Sequence, residues 1–307
     1  VGFFSCKTEP KTTIDVSEIS IDFTVDRFDV DFYSSSDENL QFLKNQYPML
    51  FPHNTDSVWV NKINNKDEQE LFAETQKVYN DFSSEKEQLT SLFKHVKYYN
   101  PKFNVPAVVT MLSNIDYDNR IIYADSLMFI SLDAYLGKEH KYYSDYPIYI
   151  KENNTDKNII VDVANSKIEK QLKPISNRSF IDKIIHEGKK MYLLDLYIPN
   201  VSEKLKIGYS QEKIQWSLEN EENIWKYFVD RKLLFSTETK LNKRFIDNAP
   251  FSKFYLENDS QSPGRIGVWL GWQIVRSFML NNDVSLQELI MIDTEELFKK
   301  SKYKPKK

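Results

Sequence analysis

Hydrophobic positions recur along this chain with two periods. Near the start, Ile19, Ile21, Phe23 and Val25 alternate with polar residues, which predicts a strand. Most later segments repeat at three and four residues instead. Ser34-Ser35-Ser36-Asp37 offers N-caps for a helix over 36–46. Residues 66–79 put Leu71, Phe72, Thr75 and Val78 on one side. Ser84 and Glu87 have capping-box spacing and open a helix that stops at Asn100-Pro101. The pattern then turns β-like. The β-branched run 105–112, the turn tract 115–120 and the apolar run 121–132 predict a β-hairpin or part of a mixed sheet, and Asp133 then caps a short helix reaching Gly137. Helices are predicted again over 159–171, 179–197, from Ser210 to 235, from Ser262-Pro263 to 280, and from the Ser285/Glu288 box to 300. The Tyr47–Pro52 stretch, YPMLFP, reads as a packed loop.

Two of these helices look central. In 179–197, Ser179 is the N-cap, and Phe180, Ile184, Met191 and Leu194 form one apolar face. Glu187 falls in the gap of that face, where a carboxylate is costly unless paired or bound to metal. His186 points about 100° away, toward Asp182, Lys189 and Lys190. The pair His186–Glu187 is either an exposed histidine beside a glutamate that meets an arginine, or the remnant of a metal or catalytic centre. The other helix, 262–280, is apolar nearly all round. Gly264, Gly267 and Gly271 share a face where another backbone should approach closely, while Arg265, Trp269, Trp272 and Arg276 lie toward another side. Arg276 sits inside the apolar run and needs an acceptor, and Glu187 is the natural candidate. His186, Glu187, Arg265 and Arg276 are therefore the expected pocket or polar centre.

Composition narrows the function. The 307 residues are 41% hydrophobic and 28% charged, an ordinary globular balance. Only 7 glycines occur, and neither GxGxxG nor GxxxxGK[ST] is present, which argues against a phosphate cradle. A net charge of −4 without a basic stripe in the body makes nucleic acid an unexpected partner. The basic tail reads as a solvated end. The one cysteine, Cys6, follows Val1-Gly2-Phe3-Phe4-Ser5 and precedes a polar tract. That is how a bacterial lipoprotein signal ends: an apolar stretch, a small residue, then the lipidated cysteine. The expected organisation is thus the end of a signal peptide over 1–5, a lipidated Cys6 with a polar tether over 6–18, and one α+β domain over 19–307, mostly helical with a small central sheet. Lipid on Cys6 would attach the chain to a membrane of the cell envelope.

No hydrolytic or metal motif is complete. The four histidines, His53, His95, His140 and His186, never begin HExxH, and no GxSxG occurs. The strings HEGKKMYLLD (186–195) and SPGRIGVWLGWQIVRSFM (262–279) do resemble the gliding motility-associated lipoprotein GldB family of Bacteroidetes. Supporting stretches in the same order are VDRFD (25–29), QYPMLF (46–51), RIIYADSL (120–127), LLFST (233–237), APFSKFYLE (249–257) and NNDVSLQEL (281–289). The resemblance covers nearly the whole chain from Cys6 on. It implies a lipid-anchored envelope protein, facing the periplasm or outer membrane, that serves gliding and the linked secretion apparatus through protein partners as a non-catalytic scaffold or binding subunit. It brings no catalytic residue and no cofactor. A more distant similarity is to gluzincin-like zinc peptidases, through Glu187-Gly188 and Gly267-x-x-x-Gly271-Trp272-x-Ile274-Val275. This implies a zincin-like core and, as the alternative function, an envelope zinc-dependent peptidase with a divergent metal site. The HExxH helix would stand at Ile160–Asn165, where both histidines are missing.

Overall fold

A computed structural model of the protein describes residues 14–52, 55–175 and 178–306. Cys6, the signal remnant and most of the tether lie outside the described residues, as does His53. Two compact units can be described within the chain, residues 19–166 and the body formed by 167–307. No linker marks the division, which falls inside a helix.

The first unit opens with β1 (Val25–Asp26), α1 (Phe28–Tyr33), α2 (Leu40–Gln46), α3 (Asp56–Ile63), α4 (Lys66–Val78) and α5 (Ser83–Tyr99). It continues through β2 (Ala107–Met111), β3 (Ile121–Ala124), β4 (Leu127–Ser131), α6 (Ile148–Lys151) and the start of α7 (Ile159–Gln171). The sheet order is β1-β2-β4-β3. Strand β2 runs parallel to both β1 and β4, with Val108 beside Val25 and Val109 beside Phe129. The hairpin is formed by β3 and β4 alone. The apolar run 121–132 therefore turns back on itself at Asp125, whose φ is 45°, and does not pair with 105–112 as an antiparallel partner. Val108, Val109 and Thr110 are all buried, as expected of a strand covered on both faces, and α1 packs against it.

Three details of this unit differ from the pattern-based expectation. Only Val25–Asp26 of the alternating run is paired as a strand. Helix α5 starts at Ser83 without a side-chain cap, because Asp81 takes the Ser83 N–H and Ser84 and Glu87 fall inside the helix. Asp133 caps no helix of its own; its buried carboxylate accepts the N–H groups of Ser113 and Ile115 instead. It thereby holds a turn in which Asn114 and Ile115 both have positive φ. Phe51 of the YPMLFP loop does pack inward, 4.9 Å from the Trp59 ring.

The second unit contains α8 (Phe180–Tyr197), α9 (Glu203–Ile207), α10 (Gln211–Glu219), α11 (Glu221–Asp230), α12 (Lys240–Phe245), α13 (Ile266–Asn281), α14 (Leu286–Met291) and α15 (Thr294–Ser301). Helix α8 begins where the sequence places it. The Ser179 hydroxyl accepts the Asp182 N–H at 3.4 Å, and the Asp182 carboxylate takes the Ser179 N–H at 3.1 Å. The long stretch from Ser210 breaks at Asn220 into α10 and α11, and the last helix breaks at Ile292-Asp293 into α14 and α15. Pro263 is not the first residue of its helix. Helix α13 starts at Ile266 behind Arg265, which has a φ of 59°, because Ser262 and Pro263 are tied to Ser252 in a buried loop closure.

Helices α8 and α13 form the centre of this unit, and α15 packs on both. Their approach is backbone to backbone. A Cβ at Gly271 would collide with the Ile184 carbonyl, and one at Gly188 with the Gly271 carbonyl. Gly267 faces Ile184 as well, and a Cβ there would sit 2.9 Å from the Phe245 carbonyl oxygen. The Gly267/Gly271 face is thus turned toward α8.

Candidate functional site

The polar centre of the second unit is built around Asp195, near the end of α8. Asp195 is 3% exposed. Its Oδ2 accepts Trp272 Nε1 at 2.8 Å and Arg276 Nε at 2.8 Å; its Oδ1 accepts Arg276 Nη2 at 3.0 Å and Lys206 Nζ at 3.1 Å. Trp272 and Arg276 are one helical turn apart on α13, so one carboxylate can take both. The Arg276 guanidinium also lies 3.9 Å from the centre of a Trp272 ring and reaches Glu203 with Nη1 at 2.7 Å. Burial alone would lower the affinity of Arg276 for its proton, but the Asp195 and Glu203 carboxylates hold it above its ordinary value. Lys206 is pulled below its ordinary value by burial, which Asp195 only partly offsets. The two cations and two carboxylates cancel one another.

Glu187 is not part of this cluster. It pairs with Lys190, one turn along α8, at 3.0 Å. The expected Glu187–Arg276 pair is replaced by Asp195–Arg276. Both carboxylates lie on α8, but Asp195 is two turns nearer the C-terminal end, where Arg276 arrives. The signal for Asp195 is its place inside LLDLY, an apolar run as continuous as that around Arg276. Arg265 stays apart as well: its Nη1 donates to the Ile207 carbonyl at 3.2 Å, fixing the turn ahead of α13.

His186 opens on a recess of about 280 Å³ lined also by Asp182, Lys189, Ile175, Ile290 and Met291. Burial, then the nearby Lys190 ammonium, lowers the His186 pKa, so the ring is neutral at pH 7. Lys189 donates to the Ile292 carbonyl at 2.9 Å, closing the end of α14. Burial brings the Lys189 pKa down to about 8.

The zincin-like expectation finds no support. Among the described residues no three His, Cys, Asp or Glu side chains gather as a metal ion would require. In the segment Ile160–Asn165, Asp162 pairs with Arg120 at 3.1 Å and accepts the Tyr135 hydroxyl at 2.8 Å. No helix among the described residues is long and apolar enough to cross a membrane.

These features define a mostly helical α+β protein whose central helices are joined by glycine contacts and a closed charge cluster. The family described as gliding motility protein GldB matches residues 9–305, and the chain belongs to this family of gliding motility lipoproteins. It is thereby tied to gliding motility and to the cell envelope. No curated protein and no solved structure matches the chain.

Proposed function

We propose that this chain is a non-catalytic binding subunit of the gliding machinery and of the secretion apparatus linked to it, held at the membrane by lipid on Cys6. The observation that carries this reading is the closed cluster at Asp195. The buried carboxylate that joins the central helices has its partners inside the protein: Asp195 holds Arg276, Lys206 and Trp272, and Arg276 takes a second carboxylate from Glu203. Such a cluster fixes the relation of two helices and offers no free acid, base or nucleophile.

The test uses the two residues that a catalytic reading would need. His186→Gln and Glu187→Gln, each as the sole copy in a gliding cell, should leave gliding intact. Asp195→Ala should reduce gliding in step with the amount of folded protein. Loss of gliding in either Gln variant, at unchanged protein level and Tm, would overturn the proposal.

A further inference from the structure

The loop between α12 and α13 spends conformational energy on its surface. Its base is closed by buried serines: the Ser252 hydroxyl donates to the Pro263 carbonyl at 2.7 Å and accepts the Ile266 N–H at 3.2 Å. Gly264 lies so close to the Ala249 carbonyl that no side chain fits there. Phe254 points in, against Tyr227, Phe228 and Phe245. The next two residues point out, with Tyr255 71% and Leu256 59% exposed.

Tyr255 has a φ of 64°, a left-handed conformation that a bulky residue adopts only under constraint. The constraint is visible. Asp259 accepts the N–H of Tyr255 at 2.8 Å and of Leu256 at 3.2 Å, and the Arg244 guanidinium lies 4.3 Å from the centre of the Tyr255 ring. Arg244 is itself fixed by bonds to the Lys253 carbonyl and the Tyr227 hydroxyl. A left-handed backbone, a pinned ring and two large apolar side chains turned to solvent bury little apolar surface in the fold. They do make a preorganised anchor, since tyrosine is among the residues that carry binding energy at interfaces and a rigid anchor loses little entropy on docking.

We propose that Tyr255 and Leu256 are a docking tip that inserts into an apolar pocket of a protein partner. The rim decides for a protein over an anionic lipid surface. Exposed Lys253 and Glu257 flank the tip with opposite charges, the polar surround of a protein interface, whereas a lipid-binding tip would carry cations on both sides. This proposal rests on the binding-subunit reading and names the surface that would do the binding.

The test replaces the chain in a gliding bacterium that carries it. Leu256→Asp removes the apolar contact at an exposed position, Asp259→Ala keeps both side chains but frees the loop, and Tyr255→Gly relieves the strain. Tyr255→Gly should hold or raise the Tm while gliding falls at least tenfold; Leu256→Asp should leave the Tm unchanged with the same loss. A photo-crosslinker at 256 should capture one protein other than this chain, the product should fade in the Asp259→Ala background, and the same probe at the comparably exposed Phe42 should not form it. Wild-type gliding in Tyr255→Gly or Leu256→Asp overturns the proposal whatever is captured. Capture of lipid, or of a second copy of this chain, overturns the partner assigned. Cells lacking the chain that still glide would overturn the binding-subunit reading itself; cells that stop, while the tip variants glide, would remove only the docking tip.

Discussion

Asp195 holds two cations and an indole N–H from a position almost closed to water. Removing one member of such a buried pair leaves the other desolvated and uncompensated, at a cost of roughly 3–5 kcal/mol. Asp195→Ala and Arg276→Ala should each lose stability on that scale, with the double variant losing less than their sum in chemical denaturation. Glu187→Ala should cost under about 1 kcal/mol, because its partner Lys190 is on the same helix and both side chains keep contact with water, about one-fifth exposed. Lys189 adds a pH dependence. Its pKa is about 8 in the fold against an ordinary 10.5, so the unfolded chain binds the extra proton between those values. The penalty is complete below about pH 8 and is relieved as pH rises toward 10.5. The stability of the wild type relative to Lys189→Met should therefore rise from pH 8 to pH 10, measured by urea unfolding at each pH. At this scale the sequence was legible in kind and not in pairing. An apolar run around Arg276 announces a buried cation. Which of the acids on α8 meets it depends on where two helices cross, and periodicity within one helix carries no information about that.

Among the elements, α8 and α13 show how far local pattern reaches. The limits of α8 follow from its cap and stripe, both written within a few residues. The glycines of α13 announce a close approach, and the approach exists; that its partner is α8, with Gly188 answering Gly271, is a long-range fact. Where a nonlocal tie intervenes, the local reading slips. Ser262-Pro263 has the form of a helix start, but Ser252 claims both residues and delays α13 to Ile266. Of the two arrangements open to the apolar runs 105–112 and 121–132, the structure takes the mixed sheet: β2 has a parallel neighbour on each side and the hairpin lies within 121–132. The glycine contacts give an ordered expectation. Gly271→Ala and Gly188→Ala must push one backbone away from another and should cost more than Gly267→Ala, whose added methyl meets Phe245 and side chains of Ile184 and Phe180. Overpacking of this kind costs about 1–3 kcal/mol, occasionally more. Thermal unfolding of the three variants checks the order. Ser179→Ala, which removes the cap of α8, should cost about 1 kcal/mol.

For the whole molecule, the mostly helical α+β class was legible, because long periodic segments declare themselves and the sheet is small. The boundary of the two compact units at residue 166 leaves no mark in composition, since α7 runs across it without a Pro, Gly or Ser tract. Membership of the gliding motility family rests on strings spread over the chain rather than on any one site. The lipid anchor is the expectation with the broadest effect: Cys6→Ser should move the protein from the membrane fraction to the soluble fraction and abolish fatty-acid labelling.

The lock between α8 and α13 also sets an order of events during synthesis. Asp195 and Arg276 are separated by 81 residues, so α8 leaves the ribosome long before its partner exists. Until Arg276 and Gly271 emerge, a growing chain carries a finished amphipathic helix whose apolar face is unmatched and whose carboxylate has only Lys206 to meet. A chain halted at residue 261, just before the α13 segment, should therefore be found with chaperones or in aggregates, while one extended to residue 306 should be released folded.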